Sequence, residues 1–152
     1  MEVIRQAIAE DAASLAQLDE ASDDWPWPAP RISSACAGTG GQSVFLLELE
    51  LELETKPVAY VAFASVLDEG SIYRIAVHPV HRQAGMGSRL LDAALLQLRE
   101  QGACRIFLEL RSSNAAAHAL YSSRGFSTDT KRKGYYPGAQ GREDALLMSL
   151  AW

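Results

Sequence analysis

Hydrophobic and polar positions change period several times along this chain, and each change predicts an element. Val3 to Ala7 reads as a short first strand. Asp11 is suited to cap a helix whose apolar stripe is Leu15, Ala16 and Leu18, ending near Ser22. Asp23-Asp24-Trp25-Pro26-Trp27-Pro28-Ala29-Pro30 disfavours regular structure through its prolines, and reads either as a connector pinned by two aromatics or as a substrate-binding loop. A short helix over Arg31 to Ala37 leads to the turn Gly38-Thr39-Gly40-Gly41. Val44 to Glu54 then alternates leucine and glutamate, and period two predicts a strand with one apolar and one acidic face, against the helical preference of both residue types. Thr55-Lys56-Pro57 is expected to close that hairpin. Val58 to Val66 returns as the next strand, and Leu67-Asp68-Glu69-Gly70 turns the chain again.

The stretch from Ser71 to Leu91 organises the rest. β-Branched Ile72, Ile75 and Val77 with aromatic Tyr73 make a strand, which His78-Pro79 breaks. Arg82-Gln83-Ala84-Gly85-Met86-Gly87 follows, and from Ser88 to Gln101 the pattern is helical, with Leu90, Leu91, Ala94 and Leu95 on one face and Gly102 as the stop. Cys104 to Leu110 is a strand. Asn114 starts a short alanine-rich helix that Gly125 ends. Phe126 to Lys133 and Arg142 to Ala151 should pair as the last strands, separated by a loop over residues 134–141. One mixed sheet with helices on both faces fits this order.

Length and charge narrow the function. At 152 residues there is room for one domain, expected over residues 1–152. The net charge of −5 argues against a non-specific nucleic-acid binder, while leaving a basic peptide or protein substrate open. Cys36 and Cys104 have no metal-ligand spacing and read as reduced thiols, and His78, His81 and His118 have no partner spacing for a metal. Neither a signal-peptide pattern nor a run of about 20 apolar residues is present, so a cytoplasmic protein without a membrane partner is expected.

A strand, a glycine-bearing turn and a helix in that order can cradle phosphate, because glycine admits close backbone approach and helix N-termini attract anions. A simple tight turn explains the same residues. The dinucleotide fingerprint lacks its third glycine, with Leu90 in its place, and the Gly-Lys-Ser of a phosphate loop is missing. Arg82-x-x-Gly85-x-Gly87 instead resembles the pyrophosphate loop of the GNAT acetyltransferases, which bind acetyl-CoA. Leu108-Glu109-Leu110-Arg111 followed by Asn114-x-x-Ala117-x-x-Leu120-Tyr121 and Gly125-Phe126 resembles the second signature of that family. Tyr135-Tyr136-Pro137, Gly141-Arg142-Glu143-Asp144-Ala145 and Trp25-Pro26-Trp27 are similar to the branch that acetylates the N-terminal alanine of a ribosomal protein.

The resemblance implies a mostly antiparallel, seven-stranded, twisted α/β sheet splayed at its middle, with acetyl-CoA lying in the splay. Backbone groups of Ile75, Ala76 and Val77 would then bond the pantetheine arm and thioester, Gln83, Ala84, Gly85, Met86, Gly87 and Ser88 would hold the pyrophosphate, and Asn114 would touch the cofactor. It further implies Glu109 as general base, Tyr121 as general acid, and Trp27, Arg74, Tyr135 and Tyr136 on the acceptor side. Arg74 stands where the branch usually has asparagine, and Ala84 where the family commonly has a basic or amide residue.

The implied reaction needs one proton to leave nitrogen and one to reach sulfur. An α-amine, with pKa near 8, is roughly a tenth neutral at pH 7, whereas a lysine near 10.4 is neutral hundreds of times less often. A weak carboxylate base therefore suits an α-amine better than a lysine, and the acceptor that the resemblance implies is the N-terminal alanine of small-subunit ribosomal protein eighteen. The alternatives are a lysine or small-amine acetyltransferase, and a binding module that senses acyl-CoA without turnover.

Overall fold

The computed structural model describes residues 1–152. Seven strands form one sheet: β1 (Glu2–Gln6), β2 (Gln42–Glu50), β3 (Thr55–Val66), β4 (Glu69–Val77), β5 (Arg105–Arg111), β6 (Ser127–Gly138) and β7 (Gly141–Ala151). Their order is β1-β2-β3-β4-β5-β7-β6; β4 and β5 run parallel and every other neighbouring pair is antiparallel. The helices are α1 (Ala12–Ser22), α2 (Ala29–Cys36), α3 (Met86–Glu100) and α4 (Ala115–Ser123). This is the mixed seven-stranded sheet that the resemblance implied.

Two cores lie on opposite faces. Leu90, Leu91, Ala94, Leu95 and Leu98 of α3 and Tyr121 of α4 pack over Val61, Phe63, Ile72, Ile106 and Leu108. On the other face Leu15 and Leu18 of α1 and Ile32 and Ala35 of α2 pack over Val44, Leu46, Tyr60, Ala62 and Ala76. A fully buried leucine contributes about 1.5–3 kcal/mol, so the α3 face alone is a major source of stability. Asp11 does begin α1, but its carboxylate accepts from the Ile8 N–H (2.8 Å) and binds Arg5 (2.9 Å) rather than capping the helix by its side chain.

Several boundaries differ from the sequence reading: α2 begins at Ala29, where Pro30 fits the first turn of a helix, β4 begins at Glu69 within the expected turn, and three further differences follow. The leucine-glutamate series leaves β2 at Glu50, and residues 51–54 form the turn, closed by Leu51 N–H donating to Glu54 C=O at 2.7 Å. Thr55, Lys56 and Pro57 belong to β3. The reason is what lies beneath: Leu49 still packs against the core, whereas Leu53 is 99% exposed, so continued alternation has nothing to bury. The second difference is residues 134–141, mostly strand rather than loop, since β6 pairs with β7 as far as Gly138↔Gly141. Finally, α3 begins two residues early, at Met86 behind a left-handed Gly85 (φ +78°).

Candidate active site

The site begins as a failure of pairing. β4 and β5 are paired only from Glu69↔Arg105 to Ile72↔Leu108. Across the other edge of β4, Phe63 pairs with Ile72 and Ala62 with Arg74, so Tyr73 is an extra, bulged residue. A bulge bends its strand and sharpens the twist, and this one falls where β4 leaves β5. From it onward, residues 73–77 of β4 have no strand on that side, and the backbone groups of the alternate residues that face it need other partners. The opening is a cleft of about 1570 Å³ between β4, β5, α4, the proline-rich segment before α2 and the β6–β7 hairpin.

Most of the residues that the sequence singled out line this cleft. Ile75, Ala76 and Val77 form its β4 wall, and Gln83, Gly85, Met86, Gly87 and Ser88 one end. Asn114, Tyr121, Glu109, Trp27, Arg74, Tyr135 and Tyr136 line the remainder. Ala84 is not on the wall; its carbonyl accepts from Arg89 Nη1 at 3.0 Å. Asn114 is the N-cap of α4, its Oδ1 accepting from the Ala117 N–H at 3.1 Å.

The loop end suits a phosphate group. Gln83 (φ +65°) and Gly85 are left-handed, which turns successive N–H groups inward. The first backbone bond of α3 runs from Arg89 N–H to Gly85 C=O (3.0 Å), which leaves the N–H groups of Met86, Gly87 and Ser88 at the helix N-terminus for an anion. Gly87 faces Leu120 and Val77, where an added Cβ would lie 3.4 and 3.7 Å from their side chains. Arg82 donates to the carbonyls of Val77 (3.1 Å) and Ser22, tying the loop to α1.

At the far end, Glu109 Oε1 accepts from the Tyr136 hydroxyl at 2.7 Å, and Oε2 lies 4.0 Å from Arg132 Nη1. Burial, then the Glu109 hydrogen bond, pushes the Tyr136 hydroxyl up from its ordinary value. Tyr121 is buried with its ring edge-on to Phe126 (5.6 Å), and no protein group bonds its hydroxyl. Burial raises its pKa and outweighs the opposing charge of Arg74, so the phenol holds its proton across neutral pH.

The sequence reading passed over two residues that organise the site. Asp19 of α1 is fully buried and accepts four hydrogen bonds: Arg74 Nε (2.7 Å) and Nη2 (3.0 Å), the Tyr60 hydroxyl (2.9 Å) and the Trp27 N–H (2.7 Å). It therefore fixes α1, β3, β4 and the aromatic segment to one carboxylate. Its signal was present: Leu15, Leu18 and Asp19 share a helix face, so an acid stood in the apolar stripe. Arg111, two residues beyond Glu109 and so on the same face of β5, donates to Pro137 C=O (2.7 Å) and Glu143 Oε1 (2.9 Å).

Residues 11–126 match the acetyltransferase (GNAT) family. A [ribosomal protein bS18]-alanine N-acetyltransferase of Escherichia coli (strain K12) is 44% identical over 95 residues, 62% of this chain, and the match spans only 64% of that relative's length. One with the same name from Haemophilus ducreyi is 31% identical over 97% of this chain and 99% of its own. The crystal structure of the ribosomal-protein-S18-alanine N-acetyltransferase from Escherichia coli superposes with a TM-score of 0.89 at 33% identity, covering 99% of this chain and 94% of that one. By these matches and by its splayed sheet, the chain belongs to the acetyltransferase (GNAT) family.

Proposed function

We propose that this protein transfers an acetyl group from acetyl-CoA to the N-terminal α-amine of a protein, with the N-terminal alanine of ribosomal protein bS18 as acceptor. The observation that carries the reading is the β4–β5 splay, a cleft with a phosphate-fitting helix N-terminus at one end and a carboxylate, Glu109, at the other. The names of the relatives supply the acceptor. The work is cytoplasmic on this reading, and no helix is long and apolar enough to cross a membrane. Residues 1–152 act as one catalytic domain.

Acetyl-CoA supplies an acyl group activated as a thioester. The free N–H groups of Met86, Gly87 and Ser88 hold the pyrophosphate, and Gln83 and Gly85 shape the loop around it. Ile75 and Val77, whose backbone groups face the splay, bond the pantetheine arm beside Ala76, which pairs back to Tyr60 of β3, and the Asn114 amide, whose oxygen already caps α4, keeps its N–H donors for the cofactor. Glu109 takes the amine proton, directly or through one water, with Oε2 free of the Tyr136 bond. Tyr121 hands its proton to the leaving sulfur. Trp27 and Tyr135 bound the acceptor, and Arg74, neutralised by Asp19 and by Asp23 at 3.4 Å, does not repel an incoming ammonium.

Incubation with acetyl-CoA and a panel of peptides, read by mass, tests the proposal. The expected product carries one acetyl group on the α-nitrogen of alanine-initiated peptides. Acetylation confined to lysine side chains, or binding of acetyl-CoA without product, would overturn it.

A further inference from the structure

The acceptor end of the cleft has two walls that belong to distant parts of the chain: Trp25 and Trp27 before α2, and Tyr135 and Tyr136 on β6. One side chain spans them. The Arg111 guanidinium carbon lies over the Trp25 ring at 4.3 Å from its centre and over the Tyr136 ring at 4.6 Å. Both distances fall within cation–π range. Arg111 Nη1 is anchored by Pro137 C=O and Glu143 Oε1, and Glu143 Oε2 accepts from the Ser113 N–H at 3.1 Å. The arginine fork is thus fixed from behind while its face touches both walls, and the Tyr136 that it stacks on is the residue bonded to Glu109.

We infer that Arg111 is a positioning residue: it clasps the Trp25 segment to the β6–β7 hairpin, sets the width of the acceptor entrance and holds Tyr136 against Glu109. The role depends on a planar fork rather than on charge. Lysine would keep the charge but could neither lie flat on two rings nor donate from the same fixed geometry. The inference rests on the acetyltransferase reading for what enters the cleft, not for the clasp itself.

Two measurements on Arg111→Lys, Arg111→Ala and Trp25→Ala test it. Hydrogen exchange of the unliganded protein, read by mass spectrometry, should rise together over residues 23–28 and 134–140 in both Arg111 variants, with α3 unchanged. In peptide acetylation the KM for the acceptor should rise about fivefold to tenfold, as expected for losing two cation–π contacts, while the KM for acetyl-CoA stays constant. The double variant Trp25→Ala/Arg111→Lys should be no worse than Arg111→Lys alone. Exchange that stays flat over residues 23–28, or full recovery of acceptor KM in Arg111→Lys, overturns the clasp. A merely structural role would lower Tm without separating the two KM values. Lack of product from the unsubstituted protein would count against the acetyltransferase reading, and the exchange result would still decide the clasp.

Discussion

On the proposed mechanism Glu109 and Tyr121 place opposite demands on the cleft, since one is to accept a proton and the other to release one. Glu109 is partly exposed and bonded to a single phenol. Glu109→Gln keeps the shape of the side chain and its bond to Tyr136 but cannot take a proton. Its kcat should fall on the order of a hundredfold or more, with calorimetric affinity for acetyl-CoA unchanged. Tyr121→Phe keeps the ring against Phe126 and removes the hydroxyl. Because that hydroxyl has no protein partner, its loss should leave Tm within about 1 °C while kcat falls roughly tenfold or more. The thiolate that leaves has a pKa near 8.5 by analogy with cysteine, which moderates the loss. A destabilised Tyr121→Phe with normal turnover would remove the acid from the mechanism.

Among elements, the turn into α3 is the most exacting. Gly85 is left-handed, and an added Cβ would sit 2.8 Å from Arg89 Nη1, the flexible end of a side chain. Gly85→Ala should therefore cost roughly 1–2 kcal/mol through its backbone angle rather than through the contact. Gly85→Asp adds a negative charge where the proposed function seats the pyrophosphate, and acetyl-CoA affinity measured by calorimetry should fall well beyond the alanine variant. Two ion pairs, one anchored on β1 and one between β5 and β7, give a different dependence, on pH. Arg5 holds the Asp11 carboxyl below its ordinary value of 3.8, and Arg111 does the same for Glu143 below 4.5. A carboxyl depressed in the folded state contributes stability above its unfolded value and loses it as pH falls. Tm should hold level above about pH 5 and drop below it, and Asp11→Asn should flatten part of that drop.

For the molecule as a whole, Asp19 decides how the α1 and α2 layer sits on the sheet. Its four hydrogen bonds saturate a carboxylate that no solvent reaches, and Arg74 is its ion-pair partner. Removing one member of a buried pair costs about 3–5 kcal/mol. At roughly 2–4 °C per kcal/mol for a chain of this size, Asp19→Ala should lower Tm by about 10 °C. Trp27 loses its backbone anchor in the same variant, so acceptor KM should rise in the fraction that remains folded. Differential scanning calorimetry and kinetics on one preparation check both. An Asp19→Ala variant with unchanged Tm would show that the network is solvated and dispensable.

The order of strands and helices was legible because local chemistry set it. β-Branched residues from Ile72 to Val77, the glycines at 85 and 87, and the apolar face of α3 each act within a few residues of themselves. The loop, Glu109 and Tyr121 were singled out by their resemblance to the motifs of a known family, and they line one cleft. What the local pattern could not contain was the limit of the core. Leucine and glutamate alternate identically at positions 47–50 and 51–54, yet only tertiary packing ends the strand at Glu50. Residues 134–138 read as loop because their pairing depends on a distant partner, β7. The width of the splay, the saturation of Asp19 and the clasp of Arg111 between Trp25 and Tyr136 were likewise decided only on folding. Each needs groups far apart in sequence brought within about 5 Å or less of one another, where the short range of packing and hydrogen bonding takes effect.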